Sequence, residues 1–128
     1  MTSAASLRVV TSDPTPPYEQ LRRQFADLIG TGVLSPGDRL PPLRQLAADL
    51  GLAVGTVART YRELESAGLV VSRRGGGTKV RADLPRTAVD PLQAVRDRAE
   101  AFVREARLLG VDDDAIRTAV ARATSATA

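Results

Sequence analysis

Between Leu43 and Gly68 two short apolar periodicities stand back to back, and they constrain the fold more than any other feature of the chain. Leu43, Leu46, Ala47 and Leu50 fall on one face of a helix that Gly51 stops. From about Val54 to Ala67, Val57, Tyr61 and Leu64 mark the core face of a second helix, with Leu69 just beyond and Gly68 as its C-terminal stop. A turn of about four residues separates the two. Short helices joined that tightly predict a helix-turn-helix unit.

The flanking sequence supplies what such a unit needs to pack against. "LRVVT" predicts a short strand, and the prolines of "SDPTPP" forbid regular structure until Tyr18. A helix begins at Pro17, with Tyr18, Leu21, Phe25 and Leu28 on its core face, and ends at Gly30 and Gly32. "SPGDRLPP" reads as a turn and an extended link. After the second helix of the motif, "LVV" reads as a strand, "RRGGG" as a tight connection and "TKVRA" as the returning strand.

The glycines of "SRRGGGTKVR" pose a choice between a phosphate-cradling loop and a hairpin tip. A nucleotide-binding glycine loop joins a strand to a helix whose N-terminus faces the phosphates. Here a strand follows, so the hairpin reading is preferred. A permissive turn explains the glycines alone, whereas a wing reaching toward a polyanion also explains Arg73, Arg74, Lys79 and Arg81 around them. The expected class is therefore mainly α with a small β wing, a winged helix-turn-helix over residues 1–82 followed by a short helical segment over 83–128.

Composition narrows the function. The chain has 128 residues, no cysteine and no histidine, so disulfides, thiolate metal sites and the commonest proton shuttle are ruled out. No apolar run approaches the roughly 20 residues of a membrane span, and "SLRVV" is too short for a signal-peptide core, which predicts a cytoplasmic protein. Neither a cofactor nor a metal is expected. Carboxylates such as Asp49, Glu63 and Glu65 pair with no recognisable nucleophile, so an enzyme is not expected either. Residues 39–81 hold eight basic and three acidic side chains, whereas residues 83–128 hold seven and eight. That local surplus fits either a solvated face or a polyanionic partner.

Position favours the partner. With Val57 taken as the core direction, Gly55, Arg59 and Arg62 lie roughly opposite and Thr56 on one flank. Arg59 has the donors to hold guanine bidentately or to hold a phosphate, and Thr56 can meet a phosphate or a thymine methyl. The plainer reading is that both arginines are solvated, with Arg62 partly neutralised by Glu63 and Glu65.

"PPYEQLRRQFADLIGTGVLSPGDRLPPLRQLAADLGLAVGTVARTYRELESAGLVVSRRGGGTKV" resembles the winged helix-turn-helix of the GntR family of bacterial transcription regulators, and "TVARTYRELE" resembles its YtrA-type branch in particular. The resemblance covers about Pro17 to Val80. It implies a dimer that binds double-stranded operator DNA through the start of the second helix, the recognition helix and the wing. By position, these contacts fall on Arg44, Thr56, Arg59, Gly76 and Gly77, to which the residue reading adds Arg62, Arg73, Arg74 and Lys79. The family usually reads Leu-Pro-Ser where this chain has "LPPLR", so Pro42 fits the first helical turn without a hydroxyl cap. Where relatives often place Asn-Pro-Asn before "TV", this chain has Ala53, Val54 and Gly55.

Beyond the wing, Leu92, Val95, Ala99, Phe102, Ala106 and Leu109 alternate at spacings of three and four, a coiled-coil-like seam on a helix from Pro91 to Leu109. It is expected to form a dimer interface, the alternative being that it packs back on its own DNA-binding domain. Gly110 ends that helix. Asp112 to Asp114 cap a shorter one with Ile116, Ala119, Val120 and Ala123 on its apolar side, and the final "TSATA" is expected to fray. Against the family pattern, the 45 residues after position 83 are too few for a large effector-binding domain, so neither such a domain nor an aminotransferase-like extension is expected. An unidentified small-molecule effector would have to use a small cleft among the helices. The leading expectation is a homodimeric, sequence-specific repressor; the resemblance suggests operators near its own gene or a transporter operon. The alternative is an architectural or partner-recruiting winged helix with little sequence preference, and the ratio of specific to non-specific affinity separates the two.

Overall fold

The computed structural model describes residues 7–84 and 90–127, so the start of the chain, part of the link "DLPRTAVDP" and the last alanine lie outside the described residues. The order is α1 (Pro17–Gly30), α2 (Leu43–Leu50), α3 (Val54–Ser66), β1 (Val70–Arg73), β2 (Gly77–Val80), α4 (Pro91–Leu108) and α5 (Asp113–Thr127). The chain is mainly helical with a small antiparallel β wing, as expected. It divides into two compact units, residues 1–89 and 90–128, and the expected division at 82/83 falls inside the first.

In the first unit the predicted helix faces meet one another. Leu21 and Phe25 of α1, Leu46 and Ala47 of α2, and Val57, Tyr61 and Leu64 of α3 are all buried in one cluster with Leu7, Leu34, Leu40, Val70 and Val80. Phe25 meets Tyr61 edge to face, with ring centroids 5.7 Å apart. Such a pair adds to the area term, because the positive edge of one ring faces the negative face of the other. The Tyr61 hydroxyl donates to the Pro41 carbonyl at 2.6 Å, which ties the link before α2 to the core. Burial raises the phenol pKa well above its usual value, so Tyr61 stays a donor. Thr60, also fully buried, donates to the Tyr18 carbonyl at 2.9 Å and locks α3 to the start of α1.

Four sequence expectations are corrected. "LRVVT" is extended but forms no strand, because its partners are side chains. Gln24 accepts from the Arg8 N–H at 2.9 Å and donates to its carbonyl, and Gln20 does the same for Val10, so two amides on α1 stand in for a neighbouring strand while Leu7 enters the core. "SPGDRLPP" is more than a turn. Leu40 donates to the Thr78 carbonyl and Val80 to the Asp38 carbonyl, each at 2.8 Å, and Arg39 pairs with Lys79, so this link forms a third edge of the wing. Pro42 stands at the N-cap of α2 rather than inside its first turn, and offers no side-chain cap. Of "TSATA", residues 124–127 are helical rather than frayed: α5 runs to Thr127, with the Thr124 hydroxyl bonded to the Val120 carbonyl.

The second unit is a pair of helices. Asp90 caps α4 by accepting from the Leu92 N–H, and Asp112 accepts from Ala115 at the start of α5. Asp113 pairs with Arg107 at 3.0 Å and Asp114 with Arg117 at 3.1 Å, so each member of the acidic run has a cap or ion-pair role. Among the described residues no helix is long and apolar enough to cross a membrane.

The Tyr61 hydrogen bond makes a direct prediction. Tyr61→Phe keeps the ring contact but leaves the Pro41 carbonyl without its donor, a loss of about 1–3 kcal/mol. Denaturant unfolding should show a lower midpoint at unchanged slope. A loss below about 0.5 kcal/mol would mean that water replaces the phenol.

Candidate nucleic-acid interface

The wing is built by register. Val70 pairs with Val80, Val71 with Lys79, Ser72 with Thr78 and Arg73 with Gly77. Alternation along a strand then sorts the side chains, with buried Val70 and Val80 on one face and Val71, Arg73 and Lys79 on the other. Arg73 lies in β1 and Gly77 in β2, so the connection is Arg74, Gly75 and Gly76, shorter than "RRGGG" implied. The Gly76 N–H returns to the Arg73 carbonyl at 3.0 Å, and Gly75 takes φ 77°, a value that only glycine adopts without strain. Gly77 takes φ 69°, and a Cβ there would sit 4.0 Å from Arg39 Nε. Gly76 has no positive φ; a Cβ on it would rest 3.5 Å from Arg73 Cβ.

Arg39 is the residue that sequence reasoning missed. Directly bridged residues in an antiparallel pair share a face, so Arg39 and Lys79 are like charges side by side, with the Arg39 chain reaching Gly77 and hence the Arg73 position. Like charges placed opposite each other destabilise a sheet. The only sequence clue was a basic residue in a turn-rich stretch, which nothing local connects to the wing.

On α3 the expected division of faces holds. Val57, Thr60, Tyr61 and Leu64 are buried, whereas Gly55, Arg59 and Arg62 are exposed and Thr56 is half-buried in the first turn. Arg44 is exposed on the second residue of α2. Arg59 is not simply solvated: its guanidinium carbon lies 3.7 Å from the centroid of the Tyr18 ring, and its Nε is 3.9 Å from Glu63. Tyr18 is thus half-buried outside the core cluster, contrary to the core role its spacing suggested. Glu65 does not neutralise Arg62 either. It accepts from the Ser72 N–H at 2.8 Å and pins the wing to the recognition helix.

Apart from Arg59, the described basic side chains of this unit fall into two groups. Glu19 holds Arg22 and Arg23, at 2.6 and 3.0 Å, and the hydrogen bond from Arg22 lowers its carboxyl pKa to about 2. Arg81 forms a two-pronged pair with Asp83, which removes it from the wing cluster. Among the described residues of this unit, Arg8, Arg39, Arg44, Arg62, Arg73, Arg74 and Lys79 have no side-chain hydrogen bond or ion pair. Apart from exposed Arg8 on the segment before α1, this unspent charge sits on the wing, on the exposed side of α3 and at the start of α2. Donors held there on rigid elements can take phosphate oxygens and base edges.

Residues 17–80 match the profile of the bacterial regulatory proteins, gntR family. The chain belongs to the gntR family. It is 44% identical over 112 residues to an HTH-type transcriptional regulator of Mycobacterium tuberculosis, covering 87% of this chain and 88% of that protein. It is 32% identical over 99 residues to the HTH-type transcriptional repressor YtrA of Bacillus subtilis, 77% of this chain and 76% of that one. Among solved structures, the DNA-binding domain of AraR in complex with operator ORX1 superposes with a TM-score of 0.53 at 29% identity, covering 58% of this chain and 95% of that domain. This gntR-family chain is a DNA-binding transcriptional regulator with a YtrA-like winged helix.

For this gntR-family wing, Arg73→Ala with Arg74→Ala should weaken binding to all DNA sequences and flatten its salt dependence, each lost phosphate contact reducing the slope by about one. Arg39→Ala alone should remove about one more. Titration at several salt concentrations reads both, and an unchanged slope would take the residue concerned out of the interface.

Proposed function

We propose that this protein is a homodimeric, sequence-specific repressor of the cytoplasm, acting at operators near its own gene or a transporter operon, with no enzymatic activity of its own. The observation that carries the reading is the distribution of unspent cations. Six of the seven basic side chains without partners in this unit lie on the wing, the reading helix and the start of α2, Arg8 being the seventh, while Arg22, Arg23 and Arg81 are tied to carboxylates. Asp49 accepts from Gln45, Glu63 lies beside Arg59 and Glu65 holds the wing, so these carboxylates are committed to structure rather than to chemistry. The name of the Bacillus subtilis relative, a repressor, supports the sign of regulation. In this proposal residues 1–82 bind DNA through Arg44, Thr56, Arg59, Arg62, Arg73, Arg74, Gly76, Gly77 and Lys79, joined by Arg39.

Residues 83–128 form the dimerisation segment. Support comes from α4, whose Leu92, Val95 and Phe102 are 59%, 61% and 44% exposed on the predicted seam, with Ala99 also exposed. Two positions of the seam differ. Ala106 is buried within its own helix pair, and Leu109 stands at the C-cap just past α4, 82% exposed. The working seam is thus Leu92 to Phe102. Phe102→Glu should yield monomers, because closing the interface over a carboxylate costs several kcal/mol or more. Light scattering that still shows a full dimer would move the interface elsewhere. A small-molecule effector would have to use a small cleft among the helices.

Arg59 carries the sequence-specific part. If it reads a guanine, Arg59→Ala costs about 1–3 kcal/mol on the preferred site and relaxes preference at one position per half-site. Binding-site selection with wild type and Arg59→Ala decides it. Identical base preferences at every position would restrict Arg59 to phosphate, and a specific-to-nonspecific affinity ratio near one would favour an architectural role instead.

A further inference from the structure

We infer that Tyr18 positions Arg59, so that base preference at one place in each half-site is set by α1 together with α3. The inference rests on the reading of Arg59 as a base contact. Arg59 is the longest side chain in the exposed first half of the reading helix, and a free arginine there would lose most of its rotamer freedom on binding. In this protein it is held before DNA arrives. Its guanidinium carbon stands 3.7 Å from the centroid of the Tyr18 ring.

Three features make that contact a positioning device rather than an accident of packing. The ring is not spent on the core, since Tyr18 lies outside the buried cluster that takes Leu21 and Phe25 from the same helix. The two helices are fixed to each other at that point, because the buried Thr60 hydroxyl, one residue from Arg59, donates to the Tyr18 carbonyl at 2.9 Å. Holding Arg59 also uses none of its donors. The ring meets the guanidinium carbon, and Glu63 stands at 3.9 Å, close enough to attract and too far to accept a hydrogen bond. The side chain stays 52% exposed with its N–H groups available for a base edge.

An exposed cation–π contact is worth about two- to fivefold in an equilibrium. The test is quantitative binding to the selected site and to its single-base variants, for wild type, Arg59→Ala, Tyr18→Leu, Tyr18→Phe and the Tyr18→Leu/Arg59→Ala double variant. Arg59→Ala marks the position that Arg59 reads. At that position Tyr18→Leu should lower discrimination by about two- to fivefold, Tyr18→Phe should retain it, and Tyr18→Leu should change nothing further once Arg59 is alanine. Loss of affinity spread evenly over all sites would be a structural effect and would overturn the inference, as would full discrimination by Tyr18→Leu at the marked position. A flat result for Arg59→Ala would instead defeat the underlying reading of Arg59. Side-chain NMR of the free protein gives a readout independent of DNA and of any stability change. The Arg59 side-chain protons should be shifted upfield by the ring in wild type and Tyr18→Phe and should return toward ordinary values in Tyr18→Leu; absence of the shift in wild type would also overturn the inference.

Discussion

The packing of α3 on α1 is the contact from which the remaining geometry of the DNA-binding unit follows. Phe25 and Tyr61 meet edge to face, Leu21, Val57 and Leu64 are fully buried beside them, and Thr60 bonds across to Tyr18. A helix buried along one stripe has no freedom left in where its opposite stripe points, because successive residues are about 100° apart. Fixing Val57 and Tyr61 in the core therefore fixes Arg59 and Arg62 outside. The Tyr61 hydroxyl extends the same constraint to the link before α2, and Glu65 extends it to the wing through the Ser72 N–H. Core, reading helix and wing are one mechanical unit.

The wing keeps like charges together without a compensating carboxylate among the described residues. Arg39 faces Lys79 across a bridge and reaches toward Arg73, an arrangement that repels itself in the free protein. Carboxylates elsewhere in the unit relieve such repulsion: Glu19 holds Arg22 and Arg23, and Asp83 holds Arg81. None does so at the wing tip among the described residues. A phosphate backbone would turn the repulsion into attraction and release its own counterions, a gain that falls steeply with salt. The glycines serve this arrangement indirectly. Gly75 makes the tight turn, and Gly77 supplies the positive φ of 69° at the start of β2.

Periodicity made the helices legible. The spacing of Leu21 and Phe25, of Leu46 and Ala47, and of Val57, Tyr61 and Leu64 identified the buried faces, because a stripe at helical spacing has few other uses. What it could not show were contacts between segments far apart in the chain. "LRVVT" looked like a strand by composition, yet its hydrogen bonds go to Gln20 and Gln24, and no propensity anticipates side-chain amides replacing a ladder. Tyr18 sat at a core spacing, but its ring serves Arg59, which lies 41 positions further on. Arg39 was hidden for the same reason, since its neighbours Lys79 and Gly77 are brought to it only by the fold. The candidate interface was thus readable as a set of cations on named elements. Which of them were already spent was not.

The proposed dimer gives the apolar seam of α4 and the cations of the first unit a common use. A single winged helix offers a few side chains to base edges, and its phosphate contacts carry no sequence information. Affinity gained by adding more basic residues would rise equally on every DNA and leave discrimination unchanged. Joining two copies has a different effect, because the second reading helix then binds at the effective concentration set by the link, and preferences at two half-sites multiply. In the proposed dimer the seam from Leu92 to Phe102 would supply that link while touching no DNA. Under the proposed function, the exposed apolar area on α4 would be as much a determinant of specificity as Arg59, since without it each base preference would count once instead of twice.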